Sequence, residues 1–337
     1  MDAGIIMQQM MIFVTIMAIA FLLRKIKVFS EETNIQITKI VLRLTLPAFL
    51  IASALVPRTM DIPREQTPIF FGIIILSFII TGILCAIFVY TCIKNKNERG
   101  AFVMMGLVGN VNFMGLPFVN AFLGSDAMVF ATMYSLVFTL TTFTIGMKLI
   151  GGRNAKVSAG MIFSPVTVAA MTAVFLFLID FRLPVGAVYE NGYLIADAER
   201  FYFIGEVVRR VSSSLGAVTS PMAMVILGST LAGMKFKEMF GGWRIYAISI
   251  VRVIVVPIVL FFALLPFAQG PYLQELLRVI IIINATAMAI SIVIIAVNYR
   301  ANEKIIGQGI FISHLISLVT LPIILPWLFS LISGCAG

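Results

Sequence analysis

The sequence predicts an all-α polytopic membrane protein, with ten transmembrane helices in two inverted five-helix repeats whose helices 4 and 9 are broken and cross. Three observations predict it: an apolar composition, apolar runs of spanning length, and matching polar anchors in the two halves. Hydrophobic residues make up 61% of the 337 and charged residues 12%, about half the roughly 25% usual in soluble domains. The mean hydropathy is +1.07, and one globular core of this size cannot hide that much apolar surface. A soluble enzyme, a disordered chain and a nucleic-acid binder are excluded on this ground. The net charge of +9 does not point to nucleic acid, because the Lys and Arg residues sit in short clusters between apolar runs.

A span needs roughly 20 apolar residues to cross about 30 Å of hydrocarbon. Cutting at charges and at Gly/Pro clusters places ten spans at about 5–23, 37–56, 68–93, 101–123, 127–147, 157–179, 207–233, 245–267, 276–298 and 305–333. The first reads as a retained span and not a signal peptide, since no basic residue precedes it and Arg24, Lys25 and Lys27 follow it. Connections are short, and the longest, about 180–206, holds Asp180, Glu190, Asp197, Glu199 and Glu206.

Orientation follows from the basic residues. Loops after odd-numbered spans hold 14 of them: Arg24, Lys25, Lys27; Lys94, Lys96, Arg99; Lys148, Arg153, Lys156; Lys235, Lys237, Arg244; Arg300 and Lys304. Loops after even-numbered spans hold four, Arg58, Arg64, Arg182 and Arg200. The positive-inside rule makes the odd loops cytoplasmic and places both termini outside. Short loops suggest a bacterial inner membrane.

Leu46-Pro47-Ala48 in span 2 and Ser220-Pro221-Met222 in span 7 lie 174 positions apart, as do Asn110 in span 4 and Asn284 in span 9. Five spans per half is odd, so a second copy enters the membrane upside down, the plan of many secondary transporters. The repeats are residues 1–156 and 157–337.

The most informative stretch is Gly109-Asn110-Val111-Asn112-Phe113-Met114-Gly115-Leu116-Pro117, in the middle of span 4. Two glycines and a proline weaken a helix ladder. Backbone groups freed at that depth survive only when buried in protein or lining a polar cavity. A half-helix N-terminus there would offer N–H groups and a positive dipole end to an anion. The bland alternative is a proline-kinked helix glued to its neighbours by its asparagines. Span 9 carries Asn284-Ala285-Thr286-Ala287-Met288-Ala289-Ile290-Ser291, polar and small but with no proline or glycine, so any break must come from the crossing itself.

All fifteen acidic residues fall outside the ten windows, so no buried carboxylate relay is visible. Lys39, Arg43, Arg209, Arg210, Arg252 and Arg278 do enter the spans or their ends. Lys39, Arg209 and Arg210 are placed to snorkel. Arg43 and Arg252 lie deeper, where carbonyls, water, lipid phosphate or an anionic substrate must answer them. Positive charge without buried negative charge favours anions. His314 in span 10 reads as a packing hydrogen bond, with proton sensing the alternative. Three cysteines (Cys85, Cys92, Cys335) and one histidine give neither a disulfide framework nor a metal set. Ser212, Ser213 and Ser214 have no base or acid near them, and there is no Walker-type run. No enzyme activity, cofactor or metal is expected.

These residues resemble the auxin efflux carrier family. The GNxxFxGLP-like run stands at Gly109 to Pro117, preceded by Arg99-Gly100-Ala101-Phe102. Leu22-Leu23-Arg24-Lys25, Leu46-Pro47-Ala48, Ser220-Pro221, Leu227-Gly228, Arg252 before Pro257, Ile294-Ile295-Ala296-Val297-Asn298-Tyr299 and Leu321-Pro322 extend the likeness along nearly the whole chain. The resemblance implies two inverted repeats, a fold related to the bile acid/sodium symporter-like transporters, and an elevator in which a transport domain moves against a scaffold. It implies a small organic anion as substrate, such as a dicarboxylate or an auxin-like acid, with Asn110 on its carboxylate. Asn112 and the half-helix ends around Gly115 and Pro117 would assist, Asn284, Thr286 and Ser291 would face them, and Arg252 would hold the positive potential. One departure is Ala287, where the family usually has a proline. The long central loop of plant members is absent, with about nine residues joining spans 5 and 6. The expected partners are the anion and the lipid bilayer, and a homodimer is open. A channel, a transport-dead sensor and a sodium- or proton-coupled carrier of another solute are the competing readings.

Overall fold

The computed structural model describes residues 3–55, 62–152, 160, 163–179, 189–190, 193–194, 196–233, 240–299 and 301–335. Its helices, in chain order, are α1 (Ala3–Lys25), α2 (Glu31–Leu55), α3 (Thr67–Cys92), α4 (Lys96–Leu107), α5 (Val111–Leu123), α6 (Met128–Gly151) and α7 (Pro165–Leu178). They continue with α8 (Ala196–Ala217), α9 (Thr219–Gly233), α10 (Trp243–Phe267), α11 (Pro271–Ala285), α12 (Ser291–Tyr299) and α13 (Glu303–Cys335). A two-residue antiparallel ladder, β1 (Tyr189–Glu190) with β2 (Tyr193–Leu194), lies between α7 and α8. Among the described residues six segments are long and apolar enough to cross a membrane unaided: Glu31–Leu55, Arg64–Cys92, Met128–Gly151, Gly205–Gly233, Trp243–Phe267 and Glu303–Ile332. The protein is therefore an integral, multi-pass membrane protein. The remaining anticipated windows are occupied by α1, α7 and two interrupted pairs, α4 with α5 and α11 with α12.

Local sequence explains where helices start. Ser30 Oγ accepts from Thr33 N–H at 3.0 Å at the head of α2, Asn95 accepts from Asn97 N–H at 3.2 Å before α4, and Ser164 caps α7 ahead of Pro165. Prolines also explain three of the four π-helical turns among the described residues, Val41–Thr45, Val111–Gly115 and Val251–Val255. Pro47, Pro117 and Pro257 each follow two residues after such a turn. In an α-helix each ring would strike the carbonyl four residues back, that of Arg43, Phe113 or Val253, the middle residue of each turn. The wider turn moves that carbonyl aside while Leu46, Leu116 and Val256 donate to carbonyls five residues back, on Val41, Val111 and Val251. The fourth turn, Thr142–Gly146, has no such proline.

The helices pack as two groups that meet along α6 with α7 and α1 with α13. In one, α1 lies along α9, and α2 lies against α7 and α8. In the other, α3, α4, α6, α10 and α13 surround α5, α11 and α12. Glycines set the closest approaches. A Cβ on Gly228 would strike the Met17 carbonyl oxygen across α1 and α9, and one on Gly216 would lie 2.8 Å from Phe49 Cα across α2 and α8.

One expectation is corrected by the structure. Acids do enter helices: Glu275 is buried in α11 and Glu206 lies near one end of the Gly205–Gly233 segment. Each is neutralised a turn away, Glu275 by Arg278 at 3.0 Å and Glu206 by Arg209 at 2.6 Å and Arg210 at 2.6 Å. Arg43, exposed on α2, has a long side chain that can reach an interface. Arg58, Arg153, Lys156, Arg182, Lys235, Lys237, Arg300 and the 156/157 repeat boundary lie outside the described residues.

Candidate functional site

The helix that the glycines and proline of the Gly109–Pro117 run were expected to weaken does stop there. α4 ends at Leu107, Val108 is extended, Asn110 turns the chain at φ −79° and ψ 67°, and α5 begins at Val111. The second break needs no proline: α11 ends at Ala285, Thr286 is extended at φ −69° and ψ 156°, and α12 begins at Ser291. The two linking segments lie antiparallel, with Gly109 opposite Met288. Asn110 N–H donates to Ala287 O at 2.8 Å, and Ala289 N–H donates to Val108 O at 3.1 Å. Each break thus satisfies the backbone groups that the other exposes, which buried backbone requires. Ser313 of α13 accepts Met288 N–H at 3.1 Å.

Gly109 has its identity from this crossing. A Cβ there would overlap Arg252 Nη2 and come within 2.9 Å of both Ile283 O and Thr286 Oγ1. Gly115 is less constrained, its Cβ meeting Ile283 Cγ1 at 3.2 Å. Pro117 is buried in the first turn of the α-helical part of α5.

Arg252 is wholly buried. The π-turn of α10 carries it, and its guanidinium donates to Gly106 O at 3.3 Å, Leu107 O at 3.5 Å, Ile283 O at 3.4 Å and Asn284 Oδ1 at 3.0 Å. Gly106 and Leu107 close α4, and Ile283 lies in the last turn of α11. Arg252 therefore caps the negative C-terminal ends of both interrupted helices. Of the partners open to it in sequence, carbonyls are the ones it takes. Asn284 also donates to Tyr134 Oη at 3.0 Å and to Ile280 O at 2.8 Å.

Asn110, 2% exposed, faces α13, with Nδ2 at 3.3 Å from His314 Nε2. His314 Nδ1 lies 2.7 Å from Ile310 O. A carbonyl only accepts, so Nδ1 carries the hydrogen and Nε2 accepts from Asn110. Thr286 donates to Ile283 O at 2.6 Å. The structure thus joins Asn110, Asn284, Thr286 and Arg252 through the crossing, with Gly115 packed beside them. Asn112 and Ser291 stand in the opening turns of α5 and α12 with Asn112 Oδ1 and Ser291 Oγ buried and without a hydrogen-bond partner. Sequence reasoning missed Tyr134, for which no local signal exists. It also missed Ser313, which left a faint signal as the hydroxyl beside His314, the residue already singled out in the apolar run of α13.

Asn110, Asn284 and Thr286 are buried at the crossing, while Asn112 and Ser291 are half-buried. Between the two helix groups runs an apolar groove of about 510 Å³, lined by α1, α9 and α13 with Lys25 at one end.

The chain is similar in sequence to the uncharacterized transporter MJ1031 of Methanocaldococcus jannaschii, 22% identical over 323 residues that span 94% of this chain and 96% of that protein. Residues 5–164 and 156–325 match the family described as membrane transport protein. Interrupted helices that satisfy each other's backbone at the centre of a multi-pass protein suit that description, and with the match running through both halves the chain belongs to the membrane transport protein family, the family of the auxin efflux carriers.

Proposed function

We propose that the protein is a secondary transporter of a small organic anion, a carboxylate such as a dicarboxylate or an auxin-like acid, working by alternating access. The capping by Arg252 carries this reading. It answers the negative ends of α4 and α11 with one cation, while the positive ends of α5 and α12 open at the crossing without a described carboxylate bonded there. The field left over favours an anion. Asn110 is the main carboxylate ligand, helped by Asn112, Thr286 and Ser291, with Asn284 and Arg252 holding the frame and the potential.

In this reading α1, α7 and the interrupted pairs complete ten crossings, as two inverted repeats divided near residue 156. The 174-residue offset supports it by pairing the Pro47 turn with the interruption between Ala217 and Thr219, and it sets the break at Val108–Asn110 against the last turn of α11, a few residues before the second break. The helix group of α1, α2, α7, α8 and α9 acts as scaffold and the other group as the moving part of an elevator, which the groove between them supports. The burial of Asn110, Asn284 and Thr286 at the crossing speaks for a carrier over an open channel. The termini face outward by the charge bias of the loops, and the shortness of the loops suits a bacterial inner membrane.

The test is uptake into proteoliposomes of mono- and dicarboxylates and indole acids. Saturable uptake of one acid, reduced at least about tenfold by Asn110→Ala, the scale of one lost charge-assisted hydrogen bond, is the expected result. Equal uptake and binding by the variant would sink the assignment.

A further inference from the structure

We propose that His314 is a proton-binding site of the carrier, so that one proton and one carboxylate occupy the crossing together. The inference rests on the anion-carrier reading above and adds its co-substrate.

Its geometry is that of a base aimed at the substrate ligand. His314 is 2% exposed, its Nδ1–H is held by Ile310 O at 2.7 Å, and its Nε2 lone pair meets Asn110 Nδ2 at 3.3 Å. A proton arriving on Nε2 leaves the ring with two donors and no acceptor. The Asn110 amide must then turn over, presenting Oδ1 to the imidazolium and both Nδ2 hydrogens away from it. In the neutral state one of those hydrogens is engaged by the ring, and the amide oxygen faces elsewhere. Protonation therefore converts Asn110 into a better carboxylate ligand and adds a positive charge beside it. By linkage a bound carboxylate strengthens proton binding by the same factor.

The surroundings leave this part to His314. Among the described residues the buried charged side chains are Arg252 and Glu275. Arg252, on α10, already donates to three carbonyls and Asn284. Glu275, on α11, is paired with Arg278 and stands nine residues before Asn284, about 13 Å along the helix. The other charges on elements packed against α13 lie at helix ends: Arg24 and Lys25 on α1, Lys96, Glu98 and Arg99 on α4, and Arg244 on α10. On α13 itself Glu303 and Lys304 open the helix, roughly 15 Å of axis before His314. Tyr299 ends α12.

His314 is the one histidine of the chain, so a single imidazole signal reports on it. Protein labelled with ¹⁵N-histidine, in lipid nanodiscs, is titrated with acid with and without acetate, succinate and indole-3-acetate. The expected result is a neutral Nδ1–H ring whose titration midpoint rises by about one pH unit, tenfold in proton affinity, with the carboxylate that the protein takes up. A midpoint indifferent to that carboxylate, with Asn110-dependent uptake intact, overturns the inference and leaves the carrier standing. No uptake of any of these acids overturns the carrier reading and this one with it. His314→Gln keeps an acceptor for Asn110 but takes no proton. Its ratio of uptake with an inward proton gradient to that without one is expected to fall to about one, and an unchanged ratio counts against the site.

Discussion

Arg252 shows how one residue can serve two helices. A buried guanidinium without a carboxylate is costly unless its donors are met. Here carbonyls at the ends of α4 and α11 and the Asn284 side-chain oxygen meet its two Nη groups, Nε stays buried without a partner, and Gly109 leaves room for the approach. The cost of the cation and the cost of two open helix ends offset each other. Arg252→Met should therefore leave several buried acceptors unmet at about 1–3 kcal/mol each. Thermal unfolding in detergent should fall by roughly 5–10 °C for a loss of about 3 kcal/mol, and Arg252→Lys should recover part of it. An unchanged midpoint in Arg252→Met would show that these carbonyls find other partners.

At the scale of the element, the broken helices have different causes. In the first half the chain itself supplies weak points at Gly109, Gly115 and Pro117, so the break is legible in the order of residues. In the second half Ala287 stands where a proline is usual, and the break follows from pairing with Asn110 and Val108. Thr286 already has the extended backbone that a residue before proline prefers. Ala287 contributes its carbonyl to Asn110, and proline keeps a carbonyl. Ala287→Pro should then fold normally and gain a few tenths of a kcal/mol, up to about 1, by limiting the unfolded chain. Circular dichroism melts of the purified variant would check it; a marked loss of stability would mean that Ala287 N–H has an essential partner.

For the whole molecule, the question is whether one helix group moves against the other. Leu22 of α1 and Leu315 of α13 both line the groove between the groups, and both are exposed. In a background with Cys85, Cys92 and Cys335 replaced, cysteines at these two positions can be bridged by a bifunctional maleimide. The bridge should stop uptake while each single-cysteine control transports, and cleaving a reducible linker should restore it. Transport that survives complete bridging would refute a relative movement of α1 and α13.

Much of this molecule is readable from residue order alone. Apolar runs and basic clusters announce a multi-pass membrane protein, because bilayer thickness and charge translocation act on local segments. The asparagine–glycine–proline run marks the first interruption for the same reason, since proline and glycine act on their own turn of helix. What the tertiary structure decided was pairing. That Arg252 closes α4 and α11, that Asn110 meets His314 across 204 residues, and that Tyr134 supports Asn284 across 150 depend on which helices lie side by side. Cutting spans by hydropathy also sets Glu275 outside them, although α11 begins early enough to bury it with Arg278. Hydropathy records what each segment avoids, water, and is silent on which neighbour it will meet.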